Sequence, residues 1–194
     1  MSSKTFISDL HNHFTDKYKL SIIKTSNSNI DSSVSIIIRE INTNFEILFI
    51  KRTTKDSDKF SGHMAFPGGV SLSTAHRETK EEIGLDSKLN CDLLGRFSDY
   101  KPVNPEANKF IVTPFIFYLK NPNVKLVKCK DEVDAIVWVP INFLIEALTK
   151  STRIGTKYNK PYKDNVFEYK GYKIWGMTGK MLHAFLTEIK DYHT

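Results

Sequence analysis

Two runs of β-branched and aromatic residues, Val34 to Arg39 and Phe45 to Arg52, stand either side of Ile41-Asn42-Thr43-Asn44. Such side chains suit extended backbone, and the asparagines between them supply turn chemistry, so the pattern predicts a β-hairpin. Cys91 to Phe97, Phe110 to Leu119 and Ala135 to Pro140 read as further strands, and Tyr158 to Trp175 alternates enough to add more. Phe60 to Gly69 reads as a short apolar strand entering a glycine turn. Helical spacing governs Ser73 to Ile83, Asn142 to Thr149 and Thr178 to Lys190, and Ser2 to Leu20 reads as a polar helix. Strands and helices intermix without strict alternation, which points to an α/β fold with a mixed sheet.

A chain of 194 residues suits one domain and can bury a full core. Ser26-Asn27-Ser28-Asn29 is a cluster of breakers, so the folded unit is expected to begin near Ser33. Residues 1–32 are then an N-terminal extension, helical or partly flexible, and residues 33–194 a single domain. Hydrophobic content of 40% with 26% charged residues excludes disordered and fibrous classes. Two cysteines, Cys91 and Cys129, are too few for a disulfide framework and too isolated for a zinc site. The longest apolar stretch, Ala135 to Leu148, contains Pro140, Asn142 and Glu146, so no membrane partner is expected. Met1 to Leu10 lacks the apolar core of a secretory signal, and the cytoplasm is the default expectation.

The net charge of +6 is uneven, with eight basic and four acidic residues from Ser151 onward. That surplus suits a phosphate-rich partner, although a solvated lysine surface is the plainer reading. Aromatic and basic residues interleave from Tyr158 to Lys173, as in some nucleic-acid-binding modules. Paired strands give the same pattern, so nucleic acid is the lesser reading.

The sharpest local feature is Arg77-Glu78-Thr79-Lys80-Glu81-Glu82. On a helix, Glu78, Glu81 and Glu82 fall within a sector of about 100°. Like charges so placed repel one another, and a hard divalent cation with oxygen ligands would compensate them. Arg77 stands four residues before Glu81, within reach to pair with it and fix its orientation. Pro67-Gly68-Gly69 lies just upstream, where bare backbone can approach a phosphate or metal closely. A solvated acidic face is the plainer alternative for the carboxylates alone. Glu132, with Asp131, is a further candidate carboxylate from a later loop.

Arg77-Glu78-Thr79-Lys80-Glu81-Glu82-Ile83-Gly84-Leu85 resembles the second half of the Nudix box, G-x5-E-x7-R-E-U-x-E-E-x-G-U with U apolar. Ser61-Gly62-His63-Met64-Ala65-Phe66-Pro67-Gly68-Gly69 is similar to the lead-in of the coenzyme A diphosphatase-like branch of that family. Ile174-Trp175-Gly176-Met177-Thr178-Gly179 and Trp138-Val139-Pro140 are looser matches. The resemblance implies an α/β/α sandwich with a mixed sheet. It implies hydrolysis of a nucleoside diphosphate linked to another moiety, with a nucleotide or a coenzyme A-like molecule as substrate. Glu78 and Glu82 would be the main ligands of Mg2+, or of Mn2+ in its place, with Glu81 as a further ligand or the base. Arg77, Glu81 and Glu82 would form the catalytic set. Gly68, Gly69 and His63 would meet substrate, and the Gly69 carbonyl would face the metal.

One departure separates this chain from the pattern. Gly69 lies 8 positions before Arg77 where the family has fourteen, and six residues after Gly69 stands Ala75 rather than a glutamate. The expectation is a folded, magnesium-binding protein whose turnover is weakened by a shortened loop. The alternatives are a Nudix domain that binds nucleotide without turnover and a nucleic-acid-binding module.

Overall fold

The computed structural model describes residues 3–18, 31–55, 61–69, 72–102, 111–157 and 160–192. Helix α1 (Ser3–Tyr18) precedes the hairpin of β1 (Asp31–Ile41) and β2 (Asn44–Arg52). Two very short strands, β3 (Met64–Ala65) and β4 (Gly68–Gly69), lead into α2 (Leu72–Ile83) and the four-residue α3 (Ser87–Asn90). After them come β5 (Cys91–Arg96), β6 (Ile111–Leu119), β7 (Val133–Pro140) and α4 (Ile141–Ala147). Strands β8 (Thr152–Lys157), β9 (Lys160–Asn165), β10 (Phe167–Tyr169) and β11 (Tyr172–Ile174) precede α5 (Gly176–Ile189). No helix among the described residues is long and apolar enough to cross a membrane.

The expected hairpin closes with Ile41 opposite Asn44, and Asn42 and Thr43 both take positive φ. That is the turn geometry whose twist matches paired strands. Strand β1 runs antiparallel to β2 but parallel to β6, so the seven-stranded sheet is mixed, as the element pattern predicts. Alternation along β1 and β2 feeds two separate apolar layers. Ile36, Ile38, Ile47 and Phe49 point to one face, where α1, α4 and α5 pack. Ile37, Leu48 and Ile50 point to the other, with Ile83 and Leu85 at the end of α2. The result is an α/β/α sandwich.

β1 and β2 pair directly only near their turn, from Ile38 and Ile47 onward. Away from it they fork, and the segment 63–69 fills the gap. β3 pairs with β2 at Ile50 and Lys51, and β4 pairs with β1 at Ser33 and Val34. The single strand expected from Phe60 to Gly69 is therefore two strands, broken at Phe66-Pro67. Residues 56–60 lie outside the described residues, as do 19–30, where the whole of the expected breaker cluster falls.

Helix α1 packs its apolar side into the core beside the sheet. Phe6, Leu10 and Phe14 are at most 2% exposed and belong to the same core as α5. Phe14 stacks on Phe185 with ring centroids 5.8 Å apart. Beside this contact, His13 and Lys17 reach Glu188 at 2.6 and 2.9 Å, and the Tyr18 hydroxyl donates to the same carboxylate. Strand β5 admits the helix through a bulge at Gly95, where a Cβ would stand 2.8 Å from that of Phe14. The alternating residues near the C-terminus are accounted for by two antiparallel hairpins, β8 with β9 and β10 with β11.

Candidate active site

Helix α2 is held at its middle and at its end. Ala75, Thr79 and Ile83 are fully buried, and the Thr79 hydroxyl meets that of Ser35 on β1 at 3.2 Å. The last helical carbonyls, which have no partner within a helix, accept from an incoming segment. Val127 N–H donates to the Ile83 carbonyl and Cys129 N–H to that of Glu82, each at 2.9 Å. The same segment then turns back, and Thr53 N–H at the end of β2 donates to the Glu132 carbonyl at 2.9 Å. Helix α2, the 131–132 turn, the end of β2 and the forked strands thus converge. They enclose a cavity of ≈ 290 Å³ lined by Arg52, Thr53, Lys55, Gly68, Glu78, Glu82, Asp131 and Glu132.

Glu82 is the buried acid of this cavity, only 5% exposed. Gly68 N–H donates to its Oε2 at 3.3 Å. Burial pushes the Glu82 carboxyl up to about 8. The Gly68 hydrogen bond and Arg52 oppose that rise, whereas the nearby charges of Glu78 and Glu132 add to it. At neutral pH the Glu82 carboxyl of this cavity therefore holds its proton.

Only glycine fits at position 68. A Cβ there would stand 2.3 Å from the Ser33 carbonyl oxygen and 2.7 Å from the Val34 Cα, both backbone atoms. Gly68→Ala is expected to push β4 off β1 and to cost about 1–3 kcal/mol of stability. Denaturant unfolding measures this, and an unchanged midpoint would contradict the close approach.

The Arg77 guanidinium lies on the exposed flank of α2 and divides its fork between two acids. Nη2 reaches Glu78 at 2.5 Å, and Nη1 pairs with Glu81 one turn on. No three acidic, histidine or cysteine side chains among the described residues stand in metal-binding geometry. The donor chemistry nonetheless fits a hard divalent cation. Glu78, Glu82, Asp131 and Glu132 offer only oxygens around one cavity, and Glu82 among them is buried.

Of the residues singled out in the sequence, Glu78, Glu82, Gly68, Asp131 and Glu132 line this cavity. Arg77 and Glu81 do not line it, and both are about half exposed. The Gly69 carbonyl, expected to face a metal, instead accepts from the Ser32 and Ser33 hydroxyls at 3.1 and 3.5 Å. His63 does not line the cavity; its ring packs against Trp175, with centroids 4.7 Å apart. Sequence reasoning missed Arg52, Thr53 and Lys55. Their one visible signal was a cationic end, Lys51-Arg52, on an otherwise apolar strand. A broader hollow of ≈ 520 Å³ between α1 and the C-terminal turn is lined by Asp9, Asn12, His13, Asp16, Lys17 and Tyr192, and shares no residue with the acidic cavity.

The NUDIX domain model matches residues 30–158 of this chain. The chain is similar to Nudix hydrolase 3 of Caenorhabditis elegans, with 30% identity over 187 aligned positions, covering 86% of this chain and 76% of that protein. It is also similar to an uncharacterized Nudix hydrolase, NudL, of Pectobacterium atrosepticum, at 27% identity over 158 positions, covering 74% of this chain and 76% of that one. In fold it resembles a MutT/nudix family protein from Enterococcus faecalis, with a TM-score of 0.52 at 14% identity over 98% of this chain and 75% of the other.

Proposed function

Because the chain belongs to the Nudix family, whose members cleave pyrophosphate bonds and generally use divalent metal ions, we propose that its substrate is a nucleoside diphosphate linked to another moiety. A coenzyme A-like molecule or a nucleotide fits that description, with Mg2+ as the metal and Mn2+ able to replace it. The observation that carries this reading is the mixed lining of one cavity, with four carboxylates facing Arg52 and Lys55. Carboxylates alone would repel a diphosphate, and cations alone would not hold a metal. A metal-bound diphosphate satisfies both.

In this reading Glu78 and Glu82 hold the metal. Glu81 is a further ligand or the base that takes a proton from the attacking water. Glu132 supplies the carboxylate that the short connection before α2 lacks. Arg52 and Lys55 neutralise phosphate oxygens and orient the diphosphate for in-line attack. When bound, the metal supplies charge neutralisation and a water of lowered pKa. Glu82 would hold the metal as a carboxylate, and Gly68 N–H fixes its position.

Incubation with a panel of coenzyme A and nucleotide diphosphates, with magnesium or with a chelator, tests the reading. Release of two monophosphate-bearing products only with the metal is expected. No cleavage of any panel member with either metal would sink it. Arg77 is a positioning residue in this account, since its fork sets Glu78 and Glu81. Arg77→Lys keeps the charge but loses the fork, so kcat should fall about tenfold while KM stays within a factor of about two. A raised KM with unchanged kcat would mean that Arg77 touches substrate instead.

A further inference from the structure

The segment between β6 and β7 folds back as a strap across the corner where α2 passes into α3. Lys120 N–H donates to the Asn90 carbonyl at its start, and Val127 N–H to the Ile83 carbonyl further on, each at 2.9 Å. Val124 and Leu126 turn inward onto the apolar layer that includes the end of α2. Lys120, Lys125, Val127, Lys128 and Lys130 are exposed. The strap crosses Gly84 closely, so that a Cβ there would stand 3.4 Å from that of Val127. At the Asn90 end of the same corner, α3 presents Lys88 and Leu89.

Two properties coincide here. Leu89 is 72% exposed and Val127 60% exposed, the most exposed large apolar side chains among the described residues. Single exposed aliphatics are ordinary on a protein surface, but these two share a corner with exposed Lys88, Lys120, Lys125, Lys128 and Lys130. From Lys120 to Lys130 the chain carries no acidic residue. Lys128 donates to the Asp134 carbonyl, which leaves its charge uncancelled. Of the nearby acids among the described residues, Asp86 pairs with Lys80, and Asp131 and Glu132 line the cavity. Asp92 on β5 is set against the whole group of lysines.

The charge and the aliphatic tips together select the partner. Two such tips fall far short of the roughly 800 Å² that a specific protein interface buries on each side. A nucleic acid would gain from the lysines but not from leucine and valine, and none of these side chains is an aromatic on which bases could stack. An anionic lipid surface uses both, because lysines meet its headgroups while aliphatic tips enter the boundary beneath them. The expectation of no membrane partner rests on the lack of a spanning stretch, and a peripheral contact needs none.

We propose that this corner docks the protein on an anionic lipid surface, with its lysines against the headgroups and Leu89 and Val127 at the acyl boundary. None of these residues lines the acidic cavity, so the proposal stands apart from the diphosphate reading.

Co-sedimentation of the full chain with phosphatidylcholine vesicles, with and without about a third of phosphatidylserine, tests it. Binding to the anionic vesicles alone is expected, and it should weaken as salt rises. Each lysine near such a surface favours binding about fivefold, so Lys88→Gln combined with Lys125→Gln should weaken it about twentyfold. Leu89→Ser should weaken it about tenfold. Both proteins should unfold at the denaturant concentration of the wild type, since all three side chains are exposed. Equal binding to neutral vesicles would overturn the proposal, as would binding to neither kind. A lysine pair or a Leu89→Ser protein that binds like the wild type would also overturn it. Binding to a polynucleotide but not to anionic vesicles would make the occupant a nucleic acid. A concentration-dependent dimer abolished by Leu89→Ser, with no vesicle binding, would make it a second copy of the chain.

Discussion

The Glu82→Gln protein is expected to lose hydrolysis by about a hundredfold or more and yet, empty, to be the more stable protein at pH 9. Both effects come from one buried carboxyl. Glutamine keeps the shape and can still accept from Gly68 N–H, but it cannot neutralise a cation. The stability gain follows from the direction of the Glu82 shift. Its carboxyl ionises near 4.5 in the unfolded chain and near 8 in the folded one. The contribution of this proton is fully present below pH 4.5 and is lost as pH rises through 8. Across that window wild-type stability should fall by about 3–5 kcal/mol on account of this residue. The glutamine protein carries no such loss. Denaturant unfolding with a chelator at pH 4.5 and pH 9 reads the difference, and parallel pH profiles would show that Glu82 is not buried as described. Added magnesium should reverse the order at pH 9, since it stabilises only the protein that binds it.

Lengthening the connection between Gly69 and Leu72 by six residues, with a glutamate six positions after Gly69, is expected to raise turnover about tenfold or more. The parent chain lacks that carboxylate, and an ångström of misplacement at a reacting centre can cost about a hundredfold. The fold should tolerate the insertion, because short surface connections accept extra length at little entropic cost. Helix α2 should keep its seat, held by Ser35–Thr79 and by the 127–129 segment rather than by the connection. The comparison is of kcat for the two proteins on the same diphosphate. Equal rates would mean that Glu132 already does what the missing residue would do. A lengthened chain that turns over where the parent only binds would favour the reading of a binding domain that had lost turnover.

The parts of the fold legible in the sequence were those written locally. Ala75, Thr79 and Ile83 announced the buried side of α2 by their spacing, and all three are fully buried. The hairpin turn was readable because Asn42 tolerates positive φ. The fork between β1 and β2 was not readable, since nothing near Phe66-Pro67 says that two strands will part around it. Only the assembled sheet shows the reason. Proline has no N–H to donate to a ladder, and its carbonyl is taken by Ser35 N–H at 2.7 Å. The acidic cavity was half legible for the same reason. Glu78 and Glu82 share a helix turn, but Arg52, Lys55 and Gly68 arrive from other segments. Phe6, Leu10 and Phe14 recur at four-residue spacing and could have revealed a core helix. Polar neighbours such as His11, Asn12 and His13 masked them.

The stacking of Phe14 on Phe185, with the His13 and Lys17 grip on Glu188, orders events during synthesis. A ribosome adding about 5–20 residues per second delivers Phe185 roughly 10–30 s after Phe14. Until then the apolar side of the first helix has the sheet, through Phe45, Gly95 and Phe97, but not its neighbour in α5, and the layer on that face of the sheet is incomplete. The nascent chain is thus kept waiting for its last helix. Chaperones that shelter apolar surface have their window of use in that interval, and a chain ending before Gly176 would leave Phe14 and the neighbouring sheet face without the cover that α5 supplies.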